Sequence, residues 1–197
     1  VYNIGYALRV SGALNVPALH QSLQQLVMRH EVLRTTFETR NGEPEQVVAS
    51  EAVLDLGIED LRGLPPAACE EEALRLAAIE TAKPFDLSRD LMLRARLIHL
   101  AEDDHILILT QHHIASDGWS MGVLWRELEE MYGAFAADRP TTLLAQPLQY
   151  ADYALWQREW LKDAVLEQQL QYWRQQMGGA PPVLELPTDF PRPRKAK

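Results

Sequence analysis

Hydrophobic and polar positions alternate at the start of the chain and then change to a helical spacing. The alternation over residues 1–10 predicts a strand, because side chains of a strand point to opposite faces in turn. From Pro17, a favoured first residue of a helix, apolar residues recur every three or four positions to about His30, which predicts a helix. The alternating residues of the strand are Tyr2, Ile4, Tyr6, Leu8 and Val10.

The pattern changes again after residue 34. Residues 34–39 (RTTFET) and 44–50 (PEQVVAS) flank Asn41-Gly42, which predicts a hairpin, because Asn-Gly suits a two-residue turn. A short strand is predicted within residues 53–60 (VLDLGIED), and a second helix from Pro65-Pro66 to Lys83, where Pro84 stops it.

Two apolar runs, residues 91–100 and 105–113, are joined by the acidic turn AEDD, so they should be antiparallel neighbours. The second run is apolar on both parities, which predicts a central strand. A long amphipathic helix follows, and two further helices are predicted around 150–162 and 164–177. These elements predict an α/β fold: a two-layer sandwich in which helices pack on a mixed or antiparallel sheet. The buried stripe of the long helix is Met121, Leu124, Trp125, Leu128, Met131, Tyr132 and Phe135.

Composition narrows the class of protein. Of 197 residues, 47% are hydrophobic and 24% charged, as in ordinary soluble proteins. The net charge of −9 argues against a nucleic-acid binder or a polybasic membrane-surface protein. Cys69 is the only cysteine, so no internal disulfide and no cysteine-based metal site is expected, which fits the reducing cytoplasm. No apolar run reaches the ~20 residues that span a bilayer.

Both ends resemble cut ends. Val1 opens directly in strand-like alternation, and the proline-rich, polar residues 186–197 are typical of a linker. We therefore expect a fragment of a larger chain.

Candidate chemistry is concentrated in residues 111–120, QHHIASDGWS. His112 and His113 are adjacent at the end of a strand, so their side chains should face different environments. A histidine that emerges from a central strand into a cleft is well placed to accept a proton. Asp117 is expected either to cap the following helix or to pair with an arginine, and Gly118 either lets a ligand approach the backbone or allows an unusual turn.

Other chemistries fit this segment poorly. A zinc site lacks a helical pair of histidines and a third ligand. A serine hydrolase is not indicated, because no G-x-S-x-G sequence surrounds Ser116.

Four segments together resemble the signature segments of condensation domains of nonribosomal peptide synthetases. They are RHEVLRTTF (29–37), QHHIASDGWS (111–120), YADYALWQ (150–157) and LELPTDFPRP (184–193). The resemblance covers nearly the whole chain. The sequences of these segments are most similar to the type that joins two L-configured residues.

The resemblance implies a lobe similar to chloramphenicol acetyltransferase. Residues 1–180 would be the N-terminal lobe, with the first signature segment missing before Val1, and residues 181–197 would be a proline-rich exit segment toward an absent C-terminal lobe. The resemblance also implies that the reaction takes place in a tunnel between two such lobes. The fragment alone is therefore expected to be inactive.

The resemblance also implies a reaction. An acyl or peptidyl thioester on one carrier protein is attacked by the amine of an aminoacyl group on another, both held on phosphopantetheine arms. His113 would position or deprotonate the amine, with His112, Asp117 and Gly118 completing the motif. Asp117 would pair with Arg34, or else with Arg29. No cofactor or metal binds directly, and an adenylation domain would be adjacent in the same polypeptide.

Three alternatives stay open: an ester-forming or coenzyme-A-dependent acyltransferase of the same fold, an epimerization relative, and a non-catalytic carrier-docking module. In YADYALWQ, the ring residues Tyr150, Tyr153 and Trp156 share one helix face, which favours packing over ligand contact. Packing is also expected for His30, Leu33 and Phe37.

Overall fold

Strands and helices follow one another as the hydrophobic pattern predicts. The computed structural model describes residues 2–181, 183, 187, 189 and 190. Its strands are β1 (Asn3–Ser11), β2 (Thr35–Arg40), β3 (Glu43–Val48), β4 (Leu56–Asp60), β5 (Leu93–His99) and β6 (Asp104–His112). Its helices are α1 (Val16–Arg29), α2 (Pro66–Ala82), α3 (Gly118–Ala136), α4 (Tyr150–Trp160) and α5 (Asp163–Met177), with a 3₁₀ turn at Glu31–Arg34.

Four strands form a mixed sheet in the order β1-β6-β5-β4. β6 pairs antiparallel with both β1 and β5, whereas β4 pairs parallel with β5. The predicted α/β class is confirmed, and so is the internal position of the strand that ends at the two histidines.

β2 and β3 form a separate antiparallel hairpin. Asn41 and Gly42 both have positive φ, at 53° and 83°, as a type I′ turn requires. The predicted hairpin is confirmed.

The larger sheet carries helices on both faces. Alternate side chains of β5 and β6 enter two core clusters, because neighbouring strand residues point to opposite sides. One cluster lies against α1 and α3 and contains Leu23, Leu26, Leu97, Leu107, Leu109, Leu124 and Leu128. The other lies against α2 and contains Leu61, Cys69, Ala73, Ile98 and Ile108.

The α2 face differs from the sequence pattern. Leu74 and Ile79, two of the larger apolar residues of α2, are exposed, while the small residues Cys69 and Ala73 face the sheet. Burial raises the pKa of the Cys69 thiol, as expected for a buried small hydrophobe. Small side chains let α2 approach the sheet closely.

The backbone divides into two compact units, Val1–Tyr153 and Ala154–Lys197. Within the second unit Trp156 and Trp160 stack at 5.4 Å between ring centroids, and Arg174 pairs with Glu167 at 2.7 Å. The expected exit segment 181–197 lies mostly outside the described residues. No helix in the described part of the chain is long and apolar enough to cross a membrane.

Candidate active site

His112 is half-buried at the end of β6. Its ring lies against Tyr2 and Phe85, with centroid distances of 6.3 and 5.7 Å. Its Nδ1 accepts a hydrogen bond of 3.1 Å from the backbone N–H of Ile114. Since an accepting nitrogen carries no proton, the proton of the neutral ring lies on Nε2.

The environment keeps His112 neutral. Burial lowers the pKa of its imidazole, and the neighbouring His113 lowers the pKa further. His112 therefore shapes the loop that follows, through its bond to Ile114, and is poorly suited to take up a proton at neutral pH.

His113 occupies the opposite environment. Its backbone N–H donates to the carbonyl of Tyr2 at 2.8 Å, which anchors the end of the strand. The residue is exposed, and its imidazole forms no hydrogen bond with any residue that the structure describes. The expectation that the two histidines face different surroundings is met by this geometry.

The imidazole of His113 lines a cleft of about 240 Å³. The cleft is bordered by the 3₁₀ turn after α1, by the loop between β6 and α3, and by the start of α4. Its other lining residues are Val32, Ile114, Ala115, Ser116, Asp117, Ser120 and Tyr150. Tyr150 was expected only to pack, so its place beside His113 was missed by the helical spacing.

Asp117 caps α3. Its Oδ1 accepts from the backbone N–H of Ser120 at 2.8 Å and from the Ser120 hydroxyl at 2.6 Å. The Asp117 backbone N–H points back to Ser120 Oγ at 3.4 Å, which completes a capping box. Hydrogen bonds from Ser120, with a smaller effect of the nearby His113, hold the pKa of the Asp117 carboxyl below its usual range.

The expected ion pair between Asp117 and an arginine is not formed by Arg34 or Arg29, and this prediction is corrected. Arg34 bonds instead to the carbonyls of Ala49 and Met28 and lies 3.5 Å from Glu31 Oε1. The helix N-terminus offers Asp117 donors only three residues away, which are nearer in the chain than either guanidinium.

Arg29 joins a different cluster. Its Nε donates to Glu127 Oε2 at 3.1 Å, and His30 Nε2 lies 2.6 Å from the same oxygen. Glu127 is 5% exposed, so one buried carboxylate on α3 holds the end of α1. His30 was expected to be a core residue. Glu127 was not predicted from the sequence to have a role, because it lies within the apolar stripe of α3.

Gly118 begins α3 and has an ordinary φ, so the motif glycine is not needed for an unusual turn. A Cβ built on Gly118 would meet nothing within 4 Å. The space beside this glycine is therefore open, and the other expectation, close approach of a ligand to the backbone, stays a prediction.

The arrangement suits proton transfer at a histidine without a serine nucleophile. Ser116 Oγ contacts the carbonyl of His112 at 3.5 Å rather than an imidazole. No cluster of three or more His, Cys, Asp or Glu side chains that could hold a metal ion occurs among the residues described. What remains in the cleft is an imidazole without a hydrogen bond to any described residue, beside a capped helix N-terminus. This geometry suits a general base or an amine-binding group.

Comparisons with known proteins agree on one family. The condensation-domain family model matches residues 1–197. One of the subunits of linear gramicidin synthase from Brevibacillus parabrevis is 49% identical over 98% of this chain and 2% of its own length. Phosphinothricin tripeptide synthetase of Streptomyces viridochromogenes is 44% identical over 100% of this chain and 18% of its own. The chain thus spans less than a fifth of either relative.

A solved structure shows the same fold. The X-domain from teicoplanin biosynthesis superposes with a TM-score of 0.83 and 34% identity, over 98% of this chain and 42% of that one.

Proposed function

Because this chain belongs to the condensation-domain family, we propose that it takes part in amide bond formation during nonribosomal peptide synthesis. The donor is an acyl or peptidyl thioester and the acceptor an aminoacyl thioester, each on the phosphopantetheine arm of a carrier protein. The observation that carries the proposal is the exposed imidazole of His113, which has no partner among the described residues and lines a cleft.

The proposed step moves one proton and exchanges one bond. The acceptor amine attacks the donor carbonyl carbon, a C–N bond forms and the C–S bond breaks. His113 accepts the proton of the amine and returns it to the leaving sulfur, so that the imidazole ends as it began. An α-amino group has a pKa of about 8 and is therefore a moderate base. Orienting this amine toward the thioester carbonyl supplies part of the rate enhancement.

Residues 1–180 are proposed to form one lobe of the domain, and residues 181–197 to lead toward the other. The 42% coverage of the solved X-domain supports this proposal, since the remainder of a relative of that length would supply a second wall for the His113 cleft. The proposed partners are two carrier proteins and an adenylation domain in the same polypeptide, in the cytoplasm.

The test is product formation by the synthetase module that carries this chain. Donor and acceptor are loaded on their carriers, and the acceptor carrier is analysed by mass spectrometry. Dipeptidyl carrier is the expected product. Product made from coenzyme A thioesters without carriers would instead indicate a stand-alone acyltransferase, and inversion of a carrier-bound residue an epimerase.

The stereochemical preference is proposed to be for two L-configured residues, because the sequence of residues 29–37 and 111–120 resembles the type of condensation domain that joins such residues. Donors loaded with L- and D-residues are compared in the same assay. A preference for the L-donor is expected, and faster turnover of the D-donor would contradict the assignment.

A further inference from the structure

A second pocket of about 240 Å³ lies beside the His113 cleft. The two share Val32, Ala115, Ser116 and Ser120, so the loop between β6 and α3 borders both. The walls of the second pocket are mostly apolar, formed by Leu33, Val123, Leu124 and the exposed Trp119. We call it the Gln111 pocket, after the polar residue at its base.

Gln111 is buried without a hydrogen-bond partner. The residue is 2% exposed and lines the pocket, and its Nε2 has no partner among the residues described. Leaving a buried amide unpaired is unfavourable, by more than an average hydrogen bond contributes. Such a group in a native protein calls for a ligand or water that satisfies it.

Three other polar side chains of the pocket are already engaged. His30 contacts Glu127 at 2.6 Å, and the Ser120 hydroxyl donates to Asp117 at 2.6 Å. Ser116 contacts the carbonyl of His112. Gln111 and the part-exposed Gln146 are the lining amides that form no hydrogen bond with a described residue. Gln111 is the buried one of the two, so a ligand that satisfies it removes the larger penalty.

The chemistry of Gln111 defines what fits. A carboxamide presents a donor and an acceptor on adjacent atoms, and rotation by 180° exchanges them. Its natural complement is a second amide, which presents the same two groups in reverse. The apolar walls favour an amide that has hydrocarbon next to it.

We propose that Gln111 binds an amide group of the carrier-bound substrate and so helps to determine specificity. This inference rests on the proposed function. Gln111 is the last odd-numbered residue of β6, two positions before His113, so their Cα atoms are separated by about 7 Å. An amide close to the reacting carbonyl therefore lies within reach of Gln111. It comes either from an aminoacyl side chain or from the peptide link of a peptidyl donor.

The test substitutes Gln111→Met in the module, which keeps the side-chain length and removes the amide. Thr110→Val is the matched control. Thr110 is the preceding residue on β6 and points to the opposite face; it is fully buried, and its Oγ1 also lacks a partner among the described residues. Both substitutions remove an unpaired buried polar atom, but only Gln111→Met alters the pocket.

Two substrate pairs are compared by kcat/KM. Glutaminyl and norleucyl carriers, tested as donor and as acceptor, probe a side-chain amide. A dipeptidyl donor and its ester-linked analogue probe the peptide link. Gln111→Met should reduce the preference for the amide member of one pair about tenfold, the worth of one good hydrogen bond, while Thr110→Val keeps the preference. The pair that responds identifies the source of the amide.

A binding measurement separates this inference from the proposed function. Glutaminyl and norleucyl groups on a pantetheine analogue, with an amide in place of the thioester, are titrated into both variants and the wild type. If the binding preference is lost only in Gln111→Met, the pocket assignment stands even where no variant forms product. Preferences unchanged in binding and turnover, with both variants merely more heat-stable, would mean a buried amide without substrate contact and would overturn the inference.

Discussion

At the scale of single residues, His112 and His113 are neighbours in sequence, yet Phe85 and Tyr2 pack on one ring while the other lines a cleft. Strand alternation predicts that they differ, and the structure adds that His112 is the half-buried one and His113 the exposed one. The role of Asp117 was predicted less well. Its sequence position allowed either a cap or an ion pair, and resemblance favoured the ion pair with Arg34, whereas the donors of Ser120 occupy the carboxylate.

Asp117→Ala should lower the melting temperature by about 2–4 °C, because α3 loses its N-cap. Asp117→Asn is the matched variant, since an asparagine oxygen can accept the same two bonds from Ser120. We expect Asp117→Asn to retain part of the stability in thermal unfolding monitored by circular dichroism, because it keeps the cap hydrogen bonds but not the charge. Equal losses in both variants would indicate that the negative charge, and not the cap, stabilises this loop.

The same residue predicts a dependence on pH. The folded-state pKa of Asp117 is lowered, so its contribution is present above the unfolded value of about 3.9 and is lost as pH falls through the folded pKa. The difference in melting temperature between wild type and Asp117→Ala should therefore be widest near neutral pH and shrink below about pH 4. A difference that stays constant down to pH 2 would contradict this linkage.

At the scale of secondary-structure elements, most of the fold could be predicted because the periodicities are long and the turns carry Gly, Asn or Pro. The face of α2 could not, since its contacts come from Cys69 and Ala73 while larger apolar residues of α2 are exposed. Close approach of α2 to the sheet depends on Gly5 of β1. A Cβ at Gly5 would lie 2.5 Å from Thr81 Cγ2, too near for any side chain.

Gly5→Ala should therefore destabilise the fold by about 1–3 kcal/mol, because α2 or β1 must shift. Gly57→Ala in β4 is the control, since its Cβ would have no neighbour closer than 3.9 Å. Urea unfolding of the two variants measures the difference in free energy. Gly5→Ala as stable as Gly57→Ala would show that α2 is not packed as described.

A further prediction concerns the contact between α1 and α3. Glu127→Ala removes the carboxylate that both Arg29 and His30 contact and should lower the free energy of unfolding by about 2–3 kcal/mol, as for hydrogen bonds to charged groups. Glu129→Ala, at an exposed position two residues along α3, is expected to change it little. Urea unfolding again provides the measurement, and similar values for both variants would contradict the proposed role of Glu127.

At the scale of the whole molecule, the sequence predicted the motif but not its surroundings. Arg29 and Glu127 are 98 positions apart, and local periodicity carries no information about such pairs. The place of Tyr150 beside His113 and the burial of Gln111 likewise depend on how distant elements meet. What the sequence could predict was the strand that leads to His113, because that strand and the following helix have uninterrupted hydrophobic patterns.

The central claim is that His113 handles the proton of the attacking amine, and one comparison tests it most directly. The module that carries this chain is supplied with loaded donor and acceptor carriers, and dipeptidyl-carrier formation is timed for wild type and His113→Ala. Because His113 is exposed, the variant should fold with an unchanged melting temperature while its rate falls by about 100-fold or more. Dipeptide formed by a folded His113→Ala variant at the wild-type rate would contradict the claim.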